Sequence, residues 1–132
     1  MISLLTVLSE KLSQRKCGTI AVITSVAGDR GRQPNFVYGA AKSLVSTYLQ
    51  GLRGKLRADQ VHVIDIRPGL VDSPMTAHME KGALWSSPER IASKIVQSIA
   101  KKKHTVYAPG YWRAIMFVVR LIPEVVFKRL KF

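Results

Sequence analysis

Three residues suited to proton transfer at a carbonyl group lie near one another in this sequence: Ser25, Tyr38 and Lys42. Tyr38 and Lys42 begin and end the run Tyr-Gly-Ala-Ala-Lys, and residues four apart on a helix share one face. A phenol exchanges protons poorly near neutral pH unless a cation stabilises its phenolate, which Lys42 would do. Ser25 would donate a hydrogen bond to the substrate oxygen, where charge develops during the reaction. The three side chains predict general acid/base chemistry for ketone reduction or alcohol oxidation.

The segments around these residues predict the elements that would position them. Residues 2–15 have the apolar spacing of a helix; a signal peptide is the weaker alternative, because no basic region precedes the apolar residues. Residues 19–24 are apolar and β-branched, which predicts a strand covered on both faces of a parallel sheet. A second strand is predicted at residues 61–66, ending before Pro68-Gly69, so that the two strands and the helix between them form a right-handed βαβ unit. That helix is predicted from apolar residues at helical spacing, namely Val37, Ala41, Leu44, Tyr48, Leu52 and Leu56.

The remaining elements follow the βαβ unit. Ser87 and Pro88 provide an N-cap and a first-turn proline, which predicts a helix continuing to about Ala100 with Ile91, Ile95 and Ile99 on one face. Residues 105–107 predict a short third strand.

The ordered set of motifs resembles the short-chain dehydrogenase/reductase family, whose signature is a serine at a strand end and Tyr-x-x-x-Lys on the next helix. The segments that carry the resemblance are Thr24-Ser25-Val26-Ala27-Gly28, Asn35-Phe36-Val37-Tyr38-Gly39-Ala40-Ala41-Lys42 and Ile66-Arg67-Pro68-Gly69-Leu70-Val71-Asp72-Ser73. The resemblance implies that Ser25, Tyr38 and Lys42 are catalytic. It also implies a nicotinamide cofactor, NAD(H) or NADP(H), bound by Tyr38 and Lys42 together with Pro68, Gly69, Val71 and Ser73. Ser73 stands where the family often has threonine. The resemblance further implies that residues 72–86 cover the substrate as a mobile lid.

The glycine-rich turn that binds a dinucleotide pyrophosphate is not found in the sequence, since no Gly-x-Gly-x-x-Gly follows a strand. The expected fold is therefore α/β, the C-terminal half of a Rossmann-like doubly wound parallel sheet ending in a basic amphipathic helix. Residues 1–110 would form this partial domain, with the cofactor-binding half absent. We expect the isolated chain to bind NAD(P)H poorly, and the choice between NADH and NADPH is left open.

Further short segments resemble one subgroup of the family, the reductase subunits of decaprenylphosphoryl-ribose epimerases. They are Asn35 to Gly39, Met75-Thr76-Ala77-His78, Tyr107-Ala108-Pro109, Ile122-Pro123 and Phe127 to Leu130. This likeness implies a small-molecule or lipid-linked carbonyl substrate, such as a keto-sugar on a polyprenyl phosphate. A non-catalytic remnant that associates with a membrane or a partner protein is the alternative.

The chain is strongly basic, with 21 Lys and Arg against eight Asp and Glu and a formal net charge of +13. Such a charge favours anionic partners. Nucleic acid is not expected, because no aromatic-interleaved basic motif is present. The main basic clusters are Lys101-Lys102-Lys103 and Lys128-Arg129-Leu130-Lys131.

Residues 111–132 mix apolar and basic residues, which predicts the C-terminal amphipathic helix. Arg120 and Pro123 interrupt the apolar run, which is too short to span a bilayer. The helix would lie at a membrane interface or pack against the domain or a subunit, and both alternatives stay open.

Other residues narrow the class of protein. His62, His78 and His104 are too dispersed for a metal site, so no metal is expected. Cys17 is a single thiol, which predicts no disulfide and a reducing, cytoplasmic location; peripheral attachment to the cytoplasmic membrane is left open. The helix before Gly18 and the Tyr38 helix are those through which the family usually dimerises, so a homo-oligomer or a partner subunit is expected.

Overall fold

The computed structural model describes residues 1–130 and contains a three-stranded parallel sheet. Its strands are β1 (Gly18–Ile23), β2 (Val61–Pro68) and, later in the chain, β5 (Thr105–Ala108), with β2 in the middle. Two short strands, β3 (Leu70–Val71) and β4 (Trp85–Ser86), form a separate parallel pair. The helices are α1 (Ile2–Arg15), α2 (Phe36–Lys55), α3 (Pro88–Ala100), α4 (Trp112–Leu121) and α5 (Glu124–Phe127). The predicted α/β class is confirmed.

The parallel register brings the carboxyl ends of the three strands to one edge of the sheet. Ile23 pairs with Ile66 at the end of β1, and Pro68 pairs with Ala108 at the end of β5. Helix α2 provides the crossover from β1 to β2. Loops that follow parallel strands at this edge are where open α/β sheets bind their ligands.

The core lies on both faces of the central strand β2. Val61 and Val63 pack on one face, in a cluster that α1 and α2 complete. Ile64 and Ile66 pack on the other face with Val106, against α3. A strand buried on both faces has a nearly continuous apolar sequence, which is how β2 was predicted. The strand runs two residues beyond the predicted 61–66, to Pro68.

The prediction that β1 is covered on both faces was wrong. Ile20 and Val22 are buried, but Ile23, on the other face, is 55% exposed. Since Ile23 pairs with Ile66, this exposed face lies on the α3 side of the sheet, and α3 packs mainly against β2 and β5. Strand β1 also lies at an edge of the sheet. Apolar composition predicts a strand correctly but does not say whether a helix covers each of its faces.

The apolar face predicted for α2 also needed correction. Val37 and Leu44 are exposed, whereas the residues that pack on the sheet are Val45, Tyr48, Leu49, Leu52 and Leu56. The reason is that the first turns of α2 pack against the loop after β1, as described below, and not against the sheet.

The C-terminal segment forms two helices in place of the single amphipathic helix predicted for residues 111–132. Helix α4 ends at Leu121, and Ile122 is extended, with φ −63° and ψ 124°. A residue before proline disfavours the helical conformation, so Pro123 ends α4 and begins the short α5. The end of the predicted basic cluster, Lys131, lies outside the described residues.

Candidate active site

Ser25 lies where β1 ends, at the carboxyl edge of the sheet. Its side-chain oxygen accepts a hydrogen bond of 3.1 Å from the Ala27 N–H, which caps a single turn of 3₁₀ helix at Val26–Gly28. The residue is only 8% exposed. Because the Oγ accepts from the backbone, the hydroxyl proton remains free to be donated to a substrate oxygen.

Tyr38 and Lys42 lie on the first turns of α2, next to the same strand end. The Lys42 ammonium donates to the Ile23 carbonyl at 3.2 Å, and its Nζ lies 5.6 Å from the centre of the Tyr38 ring. Tyr38 is 41% exposed, so a substrate can reach its phenol. The predicted helix therefore places the two side chains near each other, and the Lys42 cation also contacts the end of the strand.

Two glycines let the serine loop approach α2 at backbone distance. A Cβ on Gly39 would lie 2.8 Å from the Ala27 carbonyl oxygen. A Cβ on Gly28 would lie 2.8 Å from the Ser43 backbone nitrogen. Real Cβ atoms do not make such contacts without displacing the backbone, so both positions need glycine for close packing. This contact sets the distance between the loop carrying Ser25 and the helix carrying Tyr38 and Lys42.

The residues predicted to contact the nicotinamide follow β2 at the same edge. Pro68 is buried as the last residue of the strand, and the Gly69 N–H donates to the Ala108 carbonyl at 3.0 Å. Val71 belongs to β3. Ser73 begins a short 3₁₀ helix, Pro74–Thr76. The four residues thus lie on one loop that begins at the carboxyl edge of the sheet.

The predicted lid, residues 72–86, is tied at both ends. The Asp72 N–H donates to the Ser86 carbonyl at 3.0 Å, within the β3–β4 pairing. Thr76 donates through its hydroxyl to the Val71 carbonyl at 2.7 Å. The segment is therefore a loop whose two ends are held together at the β3–β4 pair.

Trp112, at the start of α4, joins this loop to the serine loop. Its indole Nε1 would lie 1.9 Å from a Cβ on Gly69, so only glycine leaves room for the ring. Trp112 and Met116 also form a buried cluster with Val26, the residue after Ser25, and Leu70 packs against that cluster. The first turns of α4 therefore hold the two loops of the candidate site against each other.

A buried charge cluster lies beneath the site. The Arg67 guanidinium donates to Asp65 on its own strand, at 2.8 Å from Nε, and to Asp29 on the serine loop, at 2.6 Å from Nη1. Tyr107 on β5 donates its hydroxyl proton to the other Asp29 oxygen at 2.7 Å. Thr24 donates to Asp65 at 2.5 Å. The cluster ties the serine loop to β2 and β5.

The electrostatics of this cluster follow from burial and charge. Burial by itself would lower the pKa of Arg67, but the charges of Asp65 and Asp29 raise it above its usual value, aided by the hydrogen bond to Asp65. Burial raises the pKa of the Tyr107 phenol, and the hydrogen bond to Asp29 and the charge of that carboxylate raise it further. Arg67 therefore stays a cation and Tyr107 a neutral hydrogen-bond donor.

Sequence reasoning missed this cluster as a part of the site. The signal was present in β2, where Asp65 and Arg67 interrupt the apolar run between Ile64 and Pro68. A charge within a strand that is buried on both faces needs a partner. Which residues supply the partners could not be read, because Asp29 and Tyr107 come from distant segments.

Among the helices of residues 1–130, none has the length and hydropathy that a bilayer span requires. In the same part of the chain, no group of three or more His, Cys, Asp or Glu side chains could hold a metal ion.

Comparison with known families gives a match to the short chain dehydrogenase model over residues 1–83. The chain is 34% identical over 129 residues to an uncharacterised oxidoreductase of Mycobacterium tuberculosis, covering 98% of this chain and 52% of that protein. It is 34% identical over 119 residues to an uncharacterised oxidoreductase of Streptomyces coelicolor, covering 90% and 47%. The chain spans about half the length of the curated relatives it matches.

Solved structures with the same fold are more distant in sequence. A short-chain dehydrogenase from Sphingobium yanoikuyae, solved in complex with NADPH, matches with a TM-score of 0.69 at 18% identity, over 92% of this chain and 52% of that one. The bulky-bulky ketone specific alcohol dehydrogenase from Comamonas testosteroni matches with a TM-score of 0.67 at 18% identity, over 88% and 47%. At this identity the likeness shows the fold.

Proposed function

This chain belongs to the short-chain dehydrogenase family, and on that premise we propose that it carries the proton-transfer side of an NAD(P)-dependent oxidoreductase that reduces a ketone to an alcohol. The observation that carries the proposal is the position of the Lys42 ammonium, 3.2 Å from the Ile23 carbonyl and 5.6 Å from the centre of the Tyr38 ring. That position puts a cation and a phenol at the end of the strand that Ser25 follows.

Each side chain has a role that its surroundings support. Ser25 donates its hydroxyl proton in a hydrogen bond to the ketone oxygen, because its own oxygen is engaged by the Ala27 N–H. Tyr38 gives a proton to the same oxygen as the alcohol forms, and Lys42 stabilises the phenolate that results. A nicotinamide dinucleotide, when bound, supplies the hydride that the carbonyl carbon receives.

The residues present fit one end of such a cofactor. Lys42 would bind the hydroxyls of the nicotinamide ribose, and Pro68, Gly69, Val71 and Ser73, on one loop at the same edge of the sheet, would contact the nicotinamide. The space next to Gly69 is filled by Trp112, which fixes the shape of that loop. No glycine-rich turn for the pyrophosphate is present in the sequence, so these residues would hold the nicotinamide end alone. The Sphingobium yanoikuyae structure, with its NADPH, supports a cofactor of this type.

The substrate is proposed to be a keto-sugar carried on a polyprenyl phosphate, as for the reductase subunits of decaprenylphosphoryl-ribose epimerases. The support is the set of subgroup motifs, of which Tyr107-Ala108-Pro109 and Ile122-Pro123 lie in segments that pack around the serine loop. Cytoplasmic location and peripheral contact of residues 111–132 with the membrane belong to the same proposal.

Association with a second polypeptide, either another copy or a partner subunit, is proposed from the exposed apolar residues of α1 and α2. Leu4 and Val7 on α1 and Val37 and Leu44 on α2 are between 51% and 68% exposed. The second candidate function, a non-catalytic association module, is favoured by the edge of β1 that residues 1–130 leave unpaired, since such edges accept another strand.

Binding of the nicotinamide end of the cofactor can be tested with NADPH and the 132-residue chain. Saturation-transfer NMR is suitable because it detects weak binding. We expect signal transfer to the nicotinamide and its ribose and little transfer to the adenine. Lys42→Ala should remove the ribose signal, while Lys55→Ala, a cation elsewhere on α2, should leave it unchanged. Equal transfer to both ends of the cofactor, unaffected by Lys42→Ala, would contradict the proposed site.

Turnover is tested separately by following NADPH oxidation with a ketone. We expect saturable micromolar binding to be absent and turnover by this chain to be slight. Tyr38→Phe should reduce any turnover by about 10²-fold or more, the usual effect of losing a general acid. A Tyr38→Phe variant as active as the parent chain would refute the assignment of Tyr38 as the proton donor.

A further inference from the structure

The C-terminal helices expose an apolar surface that the fold does not use. We call it the α4–α5 surface, and its apolar residues, between 40% and 66% exposed, are Phe117, Val118, Leu121, Val125, Val126 and Leu130. The opposite side of α4 is the one that packs on the domain, through Trp112 and Met116. Exposed apolar side chains grouped in this way mark an interaction site.

Basic residues are interspersed with these apolar ones. They are Arg113, Arg120, Lys128 and Arg129. Within residues 1–130 none of the four forms an ion pair, and the segment's only described acidic residue, Glu124, is paired with Arg30 at 3.0 Å. The surface thus combines exposed apolar groups with uncompensated positive charge.

A groove at the start of the surface brings both characters together. Its volume is about 470 Å³, and it is lined by Tyr107, Gly110, Arg113, Ala114, Phe117 and Arg120. Arg113, Phe117 and Arg120 are spaced four and three residues apart, so they lie along one face of α4. An aromatic ring between two guanidinium groups suits a phosphate ester whose attached chain is apolar.

We propose that the α4–α5 surface docks on a bilayer of anionic phospholipid, with its apolar side chains in the interface and its basic side chains on lipid phosphates. Amphipathic basic helices bind membranes in this way without spanning them. A second copy of the chain is disfavoured as the occupant, because two such surfaces would bring like charges together. Nucleic acid does not account for the exposed apolar residues.

The α4–α5 surface is connected to the candidate active site through Arg30. Arg30, on the loop that carries Ser25, donates to the Val119 carbonyl at 2.6 Å and to the Ile122 carbonyl at 2.5 Å. Its guanidinium also lies 3.7 Å from the centre of the Phe127 ring. A bilayer under α4 and α5 would therefore lie near the serine loop, where a lipid-linked ketone could enter. The α4–α5 surface specifies the membrane contact proposed above, and the entry of a lipid-linked ketone rests on the proposed function.

The test is sedimentation of the full chain with vesicles of phosphatidylcholine alone or of phosphatidylcholine with 30% phosphatidylglycerol. We expect binding to the anionic vesicles that weakens with added salt. Arg113→Gln/Arg120→Gln should weaken it about 30-fold, as expected for two basic residues at an anionic membrane surface. Phe117→Ser/Leu121→Ser should weaken it at least tenfold.

Matched control variants distinguish binding through the α4–α5 surface from nonspecific attraction of a basic protein to anionic vesicles. Lys101→Gln/Lys103→Gln removes the same charge elsewhere, and Val96→Ser removes an exposed apolar side chain from α3; both should bind like the parent chain. Circular dichroism confirms that each variant folds. Equal losses for the two charge variants, or equal binding to both vesicle types, would overturn the proposal.

The proposal would also be overturned if the parent chain did not bind vesicles but formed a dimer in size exclusion that Phe117→Ser/Leu121→Ser abolished. That result would identify a second copy of the chain as the occupant of the surface. Because these assays involve neither cofactor nor turnover, their failure is distinct from failure of the proposed reaction.

Discussion

Replacement of Arg67 by methionine tests whether the buried charge cluster holds the serine loop to the sheet. Arg67 has 9% of its side chain exposed, and its partners Asp29 and Asp65 have 1% and 0%. Methionine keeps most of the volume but removes the cation. Two buried carboxylates then face each other without a compensating charge.

The size of the effect follows from that burial. Removing one partner of a buried ion pair costs about 3–5 kcal/mol, because the remaining charge stays desolvated. Natural domains are stable by only about 5–15 kcal/mol, so Arg67→Met should remove roughly a fifth or more of the stability. The effect should also be local: amide exchange should accelerate at Ala27, whose N–H is held by Ser25.

The assay is urea unfolding followed by far-ultraviolet circular dichroism, with amide exchange measured in parallel. A matched control is Lys81→Met, which breaks the half-exposed Lys81–Asp72 pair and should cost at most about 1 kcal/mol. The double variant Asp29→Asn/Arg67→Met leaves one carboxylate uncompensated where Arg67→Met leaves two. Its cost should fall below the sum of the two single costs by at least about 1 kcal/mol.

The reasoning would be refuted if Arg67→Met cost no more than Lys81→Met, or if the costs of the double variant were additive. Either result would mean that the carboxylates are solvated or neutral without the guanidinium. If Arg67→Met fails to fold, recovery of folding in the double variant measures the same coupling.

Two further predictions concern the packing and the protonation of the site. Gly39→Ala should destabilise the chain by about 1–3 kcal/mol, because its Cβ would lie 2.8 Å from the Ala27 carbonyl oxygen. The control is Gly51→Ala on the same helix, which has open space and should stabilise the chain by about 0.5–1 kcal/mol. Similar effects of the two substitutions in urea unfolding would contradict the backbone contact at Gly39. Tyr107→Phe should cost about 1–2 kcal/mol at pH 8 through loss of the bond to Asp29. The raised pKa of Tyr107 means that the folded state is favoured only while the phenol is neutral. The cost of Tyr107→Phe should therefore shrink as the pH rises above about 10. A cost that stays constant to about pH 11 would show that ionisation of the phenol is not linked to folding.

Much of the fold could be predicted because its signals are local. Ser87 caps α3 by accepting from the Arg90 N–H at 3.4 Å, as its sequence motif indicates. The apolar run of β2 and the helical spacing of α1 and α2 gave elements at nearly the right bounds. Capping and hydrophobic periodicity depend on neighbours in the chain, so the sequence alone contains them.

Which faces of the strands and helices are covered by other elements could not be predicted in the same way. Ile23 and Leu44 are apolar residues that the sequence assigned to buried faces, yet both are exposed. Whether such a residue is buried depends on the direction in which another element crosses it, and this is not a property of its own segment.

The sequence by itself determined which chemical groups are available, Ser25, Tyr38 and Lys42, and the order of the elements that carry them. Only the tertiary structure decided how these groups are held. Arg67 meets Asp29 across 38 positions, and Asp29 meets Tyr107 across 78. The packing of the strands determines which residues so far apart in sequence become partners. A buried charge requires a counter-charge, and only the fold decides which one lies within hydrogen-bond distance.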